Sequence, residues 1–166
     1  MRLYVAGPLF TSAERDWNLR LADALSDAGH VVFLPQTEVK AIATLDADAI
    51  FKIDVDGVRS AEAVVAILDG ADPDSGTSFE CGLAFALGIP IVAVRTDFRA
   101  GGDALPHQKL ATINLMLAQA SAVVVNRPDP ETTFEEIAEA VIEALKALPA
   151  TSSLSRFDRG TDSASW

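Results

Sequence analysis

The chain has 166 residues, 49% hydrophobic and 22% charged, a length and balance that give one folded domain with a real core and exclude a disordered architecture. A formal net charge of -11 repels phosphate backbones and anionic lipid, which speaks against nucleic-acid and membrane partners and leaves a neutral small molecule as the more comfortable substrate. A single cysteine excludes an internal disulfide, no apolar run reaches the ~20 residues that span a bilayer, and no basic stretch precedes a long apolar one at the start, so the expected location is cytoplasmic.

Short apolar runs alternate with longer helical periodicities, the pattern of repeated βα units. The run Arg2-Leu-Tyr-Val-Ala6 predicts a first strand. Thr11-Ser-Ala-Glu14 has capping-box spacing, and Trp17, Leu21, Ala24, Leu25 and Ala28 form an apolar stripe that stops at Gly29, which predicts a first helix. Val31-Val-Phe-Leu34 predicts a second strand ended by Pro35. A helical stretch containing Ile50, Phe51, Ile53, Val55 and Val58 leads into a third strand, Ala63-Val-Val-Ala-Ile-Leu68, while residues 36–47 carry no clear pattern. After an acidic, glycine-bearing loop comes a helix closed by Gly88 and Pro90, then a fourth strand, Ile91-Val-Ala-Val94. Residues 95–109 read as a polar loop, 113–118 as a short helix, Ala122-Val-Val-Val125 as a fifth strand and 130–148 as an amphipathic helix. The predicted domain is thus 1–148, followed by an aperiodic polar tail at 149–166, expected to be mobile.

Strand–helix alternation with right-handed crossovers predicts a three-layer α/β sandwich around a five-stranded parallel sheet, in the flavodoxin-like order 2-1-3-4-5. In that order the loops after the first and third strands face each other across one crevice, where ligands of open α/β sheets bind. The sequence lacks a Gly-x-Gly-x-x-Gly turn after the first strand, a phosphate loop with Lys and Ser/Thr, and any zinc-ligand spacing.

The stretch Asp72-Pro-Asp-Ser-Gly-Thr-Ser-Phe-Glu80-Cys-Gly82 is the most informative. It sets Glu80 within about the first turn of a helix, where backbone N–H groups and the macrodipole favour a carboxylate by roughly 0.3–1 kcal/mol. Glu80 is therefore a candidate nucleophile, although a plain cap of Thr77 would use the same position. Asp74 is placed to accept hydrogen bonds from hydroxyl groups of a ligand, and its charge should raise the proton affinity of the more buried carboxyl nearby. Gly7 and Pro8 make either a tight turn or a close backbone approach to a ligand. Phe10 and Phe79 serve either stacking or core packing, Gly82 would let the helix approach the sheet, and Cys81 reads as a small packing residue.

Tyr4-Val-Ala-Gly-Pro-Leu-Phe10, Asp54-Val-Asp-Gly57, Asp74-Ser-Gly-Thr-Ser-Phe-Glu80-Cys-Gly82 and Asn114-Leu-Met116, in this order, resemble the signatures of nucleoside 2-deoxyribosyltransferases, over about residues 2–148. The resemblance implies a flavodoxin-like fold, no metal or organic cofactor, and a glutamate, Glu80, that attacks the anomeric carbon of a 2'-deoxynucleoside. It further implies that Tyr4 orients Glu80, that Asp54 donates a proton to the base, and that Gly7, Pro8, Phe10, Gly76 and Phe79 line the substrate. Asn114 and Met116 would cross a subunit interface in a homo-oligomer, Asn114 binding a sugar hydroxyl, and the free nucleobase would be the second substrate. No residue between the second strand and Asp54 aligns firmly with the family's polar base contact, for which Gln36 and Glu38 are candidates.

Departure of a base builds positive character on the sugar and negative charge on the base, so an ionised carboxylate and a proton donor are both needed. Deoxyribosyl exchange between bases is the first reading. Hydrolysis of a nucleoside or deoxynucleoside 5'-monophosphate by the same glutamate is the second, opposed by the apolar Pro8-Leu-Phe10 turn and the negative charge. A non-catalytic nucleoside-binding module is the third.

Overall fold

The computed structural model describes residues 1–38, 46–99, 101–102 and 112–149. The expected tail, most of the loop before residue 112 and the stretch 39–45 lie outside these residues. Strands β1 (Arg2–Ala6), β2 (Val31–Phe33), β3 (Ala63–Ile67), β4 (Ile91–Arg95) and β5 (Val123–Asn126) form one sheet in the order β2-β1-β3-β4-β5, every pair parallel. This is the flavodoxin-like order that the alternation of elements predicted.

Helices α1 (Ser12–Asp27) and α6 (Phe134–Lys146) cover one face, and α3 (Ala47–Ser60), α4 (Ser75–Ala86) and α5 (Leu115–Ala120) the other. The cause is the period-2 alternation of strands buried on both sides. Leu3, Val5, Val65, Ile67, Val92 and Val94 point to α1 and α6, whereas Tyr4, Ala6, Val64, Ala66, Ile91 and Ala93 point to α3 and α4. On the second face Ala6, Ala66 and Ala93 lie side by side in register, a row of small residues against which Cys81 and Ala84 of α4 pack. Bulk is thus concentrated on one side, and the other lets a helix come close.

The predicted capping box of Thr11 with Glu14 forms at α1, and a second, not read from the sequence, joins Thr133 and Glu136 at α6. Helices α1 and α4 end at Gly29 (φ 89) and Gly88 (φ 71), left-handed positions that a side chain rarely tolerates. One element was not predicted, the short helix α2 (Pro35–Glu38), in which Pro35 starts a helix as well as ending a strand. Among the described residues no helix is long and apolar enough to cross a membrane.

Candidate active site

The loop after β3 enters α4 through Asp74, whose Oδ2 accepts from the Thr77 backbone N–H at 2.8 Å and from Thr77 Oγ1 at 3.1 Å. Asp74, not Glu80, is therefore the cap. Glu80 is the sixth residue of the helix and lies in its second turn, one turn further in than its sequence position suggested. The macrodipole contribution falls off within the first turn, so what governs Glu80 is its immediate surroundings.

Those surroundings are a cavity of about 140 Å³ between α3 and α4, lined by Phe51, Asp54, Val55 and Val58 from one helix and Gly76, Phe79, Glu80 and Leu83 from the other. Beneath it, the Tyr4 hydroxyl donates to Glu80 Oε1 at 2.6 Å, linking β1 to α4 across 76 positions of sequence. Tyr4 is 0% exposed. Burial, and then the adjacent Glu80 charge, push the phenol far above its ordinary value of 10.0, so it stays a donor at all physiological pH.

Burial pushes the Glu80 carboxyl up from 4.5 to about 7; the Tyr4 hydrogen bond pulls it down, and the charges of Asp54 and Asp74 push it up further. Asp54 is also raised, by desolvation, and its Oδ1 is buried without a hydrogen-bond partner among the described residues. The cavity thus holds two carboxyl groups of raised proton affinity, one with a fixed donor and one without. Cys81 is pushed up to about 12 by burial and then by Glu80, so its thiol stays protonated and packs, as expected.

Other predicted residues distribute unevenly. Gly76 and Phe79 line the cavity, and a Cβ on Gly76 would stand 3.1 Å from Asp74 Oδ2. Gly7 lies against the third strand, where a Cβ would meet Ile67 Cδ1 at 2.9 Å, and the Pro8 carbonyl accepts from buried Asn18 at 2.9 Å. These contacts give the turn a packing reason. Phe10 is exposed and outside the Glu80 cavity. Gly82 is also exposed, with no atom within 4 Å of a would-be Cβ, so it does not bring α4 closer to the sheet.

Asn114 and Met116 line a separate groove of about 540 Å³ on another flank of α4, together with Asp72, Ser75, Ser78 and Gly82. Asn114 caps α5, its Oδ1 accepting from the Met116 N–H at 2.9 Å, and Met116 is exposed. The fold does not bring this pair to Glu80 of the same chain.

Phe51 was missed as a site residue. It is 59% exposed, and its ring lies 5.9 Å from that of Phe79, itself 54% exposed, so two aromatic rings flank the carboxylates at the cavity. The available signal was an aromatic three residues before Asp54, on the same helical face. Gln36 is occupied, Nε2 donating to Arg15 O at 2.9 Å and Oε1 accepting from Asn18 at 3.5 Å, and Glu38 is exposed near Arg2, away from the cavity.

The profile described as nucleoside 2-deoxyribosyltransferase matches residues 3–116, a span that contains Tyr4, Asp54, Asp74, Glu80 and the Asn114–Met116 segment. The chain belongs to the nucleoside 2-deoxyribosyltransferase family. This is a family of enzymes that bind nucleosides and bases.

A conserved protein from Enterococcus faecalis V583 is similar in structure at 30% identity, over 87% of this chain and 98% of that one, with a TM-score of 0.66. The 2-desoxiribosyltransferase from Leishmania mexicana shares the fold at 24% identity, covering 86% of this chain and 97% of that one, TM-score 0.62. So does the CMP N-glycosidase from Clostridium botulinum, at 17% identity over 89% and 100% of the two chains, TM-score 0.56. No curated protein matches in sequence.

The loop that leads to the candidate site is held by a clasp that none of the family-like motifs contains. Arg95, 1% exposed at the end of β4, donates from Nη1 to Leu68 O at 2.6 Å and Gly70 O at 2.7 Å, and from Nη2 to Arg99 O at 2.7 Å. In return Asp69 accepts from Thr96 N and Oγ1, both at 2.6 Å, and from Asp97 N at 2.9 Å. Each loop satisfies the other's backbone, which fixes the run that ends in the Asp74 cap. A charged residue after an apolar strand reads in sequence as a solvated end, so this role was not visible there.

Proposed function

We propose that this protein transfers 2-deoxyribose between nucleobases through a covalent glycosyl-Glu80 intermediate, with retention at the anomeric carbon. The single observation that carries the reading is the 2.6 Å hydrogen bond from the buried Tyr4 hydroxyl to Glu80, at a cavity shared with Asp54. A carboxylate held on one oxygen by a fixed donor keeps the other for attack.

In the first step a Glu80 oxygen bonds to C1', the C1'–N bond breaks, and its electron pair leaves with the base, which takes a proton from Asp54. In the second, a nitrogen of the incoming base bonds to C1', the ester C–O bond breaks, Glu80 is ionised again, and the proton lost by that nitrogen returns to Asp54. Raised proton affinity at Asp54 supports the donor role, and the raised value at Glu80 supports a nucleophile that gains by losing its charge in the ester. Phe51 and Phe79 offer flat apolar surfaces for the heterocycle. With Oδ2 of Asp74 committed to Thr77, Oδ1 remains to accept from a sugar hydroxyl.

A cavity of about 140 Å³ is smaller than the roughly 300–1,000 Å³ of pockets that enclose a drug-sized ligand. This supports a site completed by a neighbouring copy in a homo-oligomer, to which Asn114 and Met116 would contribute from their separate groove. For the donor, a nucleoside is favoured over a nucleotide. Arg15, in the first turn of α1, donates to the carbonyls of Leu9 and Phe10 at 3.0 and 3.1 Å and does not line the cavity.

Incubation with a 2'-deoxynucleoside and a different free base tests the proposal. A new nucleoside and an adduct of deoxyribosyl mass on Glu80 are expected, both lost in Glu80→Gln. Free deoxyribose without exchange would replace transfer by hydrolysis, and unaltered substrate would leave only a binding module.

A further inference from the structure

Tyr4 and Phe33 are register partners across β1 and β2, and their rings stack with centroids 5.3 Å apart and planes 15° from parallel. Gly57, buried on α3, closes the edge of this stack. A Cβ at Gly57 would stand 2.8 Å from Phe33 Cε1, 2.9 Å from Phe33 Cζ and 2.9 Å from Tyr4 Cε2. Real side chains essentially never approach so closely, and Cε2 neighbours the carbon that bears the hydroxyl. Glycine is disfavoured inside a helix, and the positive-φ glycines, Gly29, Gly70 and Gly88, do not include Gly57. Space, not backbone conformation, is what demands glycine here.

We infer that Phe33 and Gly57 are positioning residues that together fix the point at which the Tyr4 hydroxyl meets Glu80. The Phe33 ring blocks rotation of the phenol to one side, and the α3 backbone at Gly57 bounds its edge. The same contact sets the height of α3 over the sheet. Neither Phe33 nor Gly57 lines the cavity, so both act through Tyr4. The consequence rests on Glu80 being the reacting carboxylate.

Three groups bear on the titration of Glu80: Tyr4 from β1, Asp54 from α3, and Asp74 at the start of its own helix. Of these, only the Tyr4 hydrogen bond favours the ionised form. Displacing the phenol therefore moves Glu80 upward in pH.

The test is a carboxyl ¹³C NMR titration of Glu80, assigned with Glu80→Gln, in wild type, Gly57→Ala, Phe33→Leu and Tyr4→Phe, and in each of the first two substitutions combined with Tyr4→Phe. The pH profile of kcat/KM for base exchange is measured alongside. Gly57→Ala and Phe33→Leu should each raise the Glu80 midpoint, by no more than Tyr4→Phe does, and add nothing in the Tyr4→Phe background. A midpoint displaced by one unit lowers kcat/KM about tenfold on the acid side, with recovery at alkaline pH. A general packing defect would lower the rate at every pH. Phe33→Leu places no new atom against α3 and keeps the test valid should Gly57→Ala not fold.

An unmoved midpoint in a folded single variant, or a displacement that persists in the Tyr4→Phe background, overturns the inference. Failure of the proposed function would look different. There, wild type exchanges no bases while the midpoints move as stated, and the positioning roles stand.

Discussion

Replacing Glu80 by glutamine should make the protein more stable, and only above the range where a free carboxyl ionises. In the folded chain burial lifts Glu80 from 4.5 to about 7. The folded state therefore binds the Glu80 proton more tightly than the unfolded state does. Below pH 4.5 both states are protonated and the group is neutral with respect to folding. As pH rises through 4.5 towards 7 the unfolded chain ionises first, and stability is lost. Above pH 8 folding must carry an ionised carboxylate into the cavity, at a cost of about 3 kcal/mol for a displacement from 4.5 to about 7.

Glutamine keeps an oxygen able to accept from the Tyr4 hydroxyl, which stands 2.6 Å away, and removes the charge. The variant should match wild type within about 0.5 kcal/mol at pH 4 and exceed it by about 1–3 kcal/mol at pH 8.5. Urea unfolding at the two pH values checks this, with the midpoint increasing and the m-value constant. Taking the difference between variant and wild type removes every other titrating group from the comparison. A variant equal to wild type, or less stable, at pH 8.5 would refute the claim that Glu80 is held in the cavity against its ionisation.

Asp54→Asn should lower kcat for exchange by about 10²–10⁴ through loss of the proton donor, and should shift the acid limb of the profile down, because the Asp54 charge no longer pushes Glu80 up. A steady-state profile with the alkaline limb intact and normal kcat would remove Asp54 from the reaction. Asp74→Asn keeps a good helix cap, so its thermal midpoint should stay near wild type while KM rises; Asp74→Ala should in addition lose about 1 kcal/mol of stability in urea. Arg95→Met should cost about 3 kcal/mol or more, since it leaves the buried carbonyls of Leu68 and Gly70 without donors, and Arg95→Lys should recover part of that in the same urea assay.

The strands were legible because parallel strands buried on both faces are continuous apolar runs, and the helices because their stripes end at Gly29 and Gly88. Helix α2 was not, since four residues are too few to display a helical period. Glu80 was assigned to about the first turn because sequence shows a carboxylate after a glycine-bearing loop but not which residue caps; Asp74 does. The pairing of Tyr4 with Glu80 rested on resemblance, for nothing local connects a strand tyrosine to a helix glutamate 76 positions on. Gly57 and Arg95 were unread for the opposite reasons. One looks like a helix breaker and the other like a solvated strand end, and only packing reveals that each occupies a space nothing else fits.

The two cavity carboxylates differ in one feature of their surroundings. Both Glu80 and Asp54 are raised by burial, and the Asp54 charge raises Glu80 further, so charging both in one small apolar cavity is unfavourable. Glu80 has the Tyr4 hydroxyl, which is buried and stays protonated; Asp54 Oδ1 has no donor among the described residues. The phenol therefore favours charge on Glu80, against the burial that lifts this carboxyl to about 7, and fixes which of its oxygens stays bound. In the proposed reaction the attacking anion is thus oriented by one aromatic residue in β1, and the sheet, through the stack of Tyr4 on Phe33, sets where its donor stands.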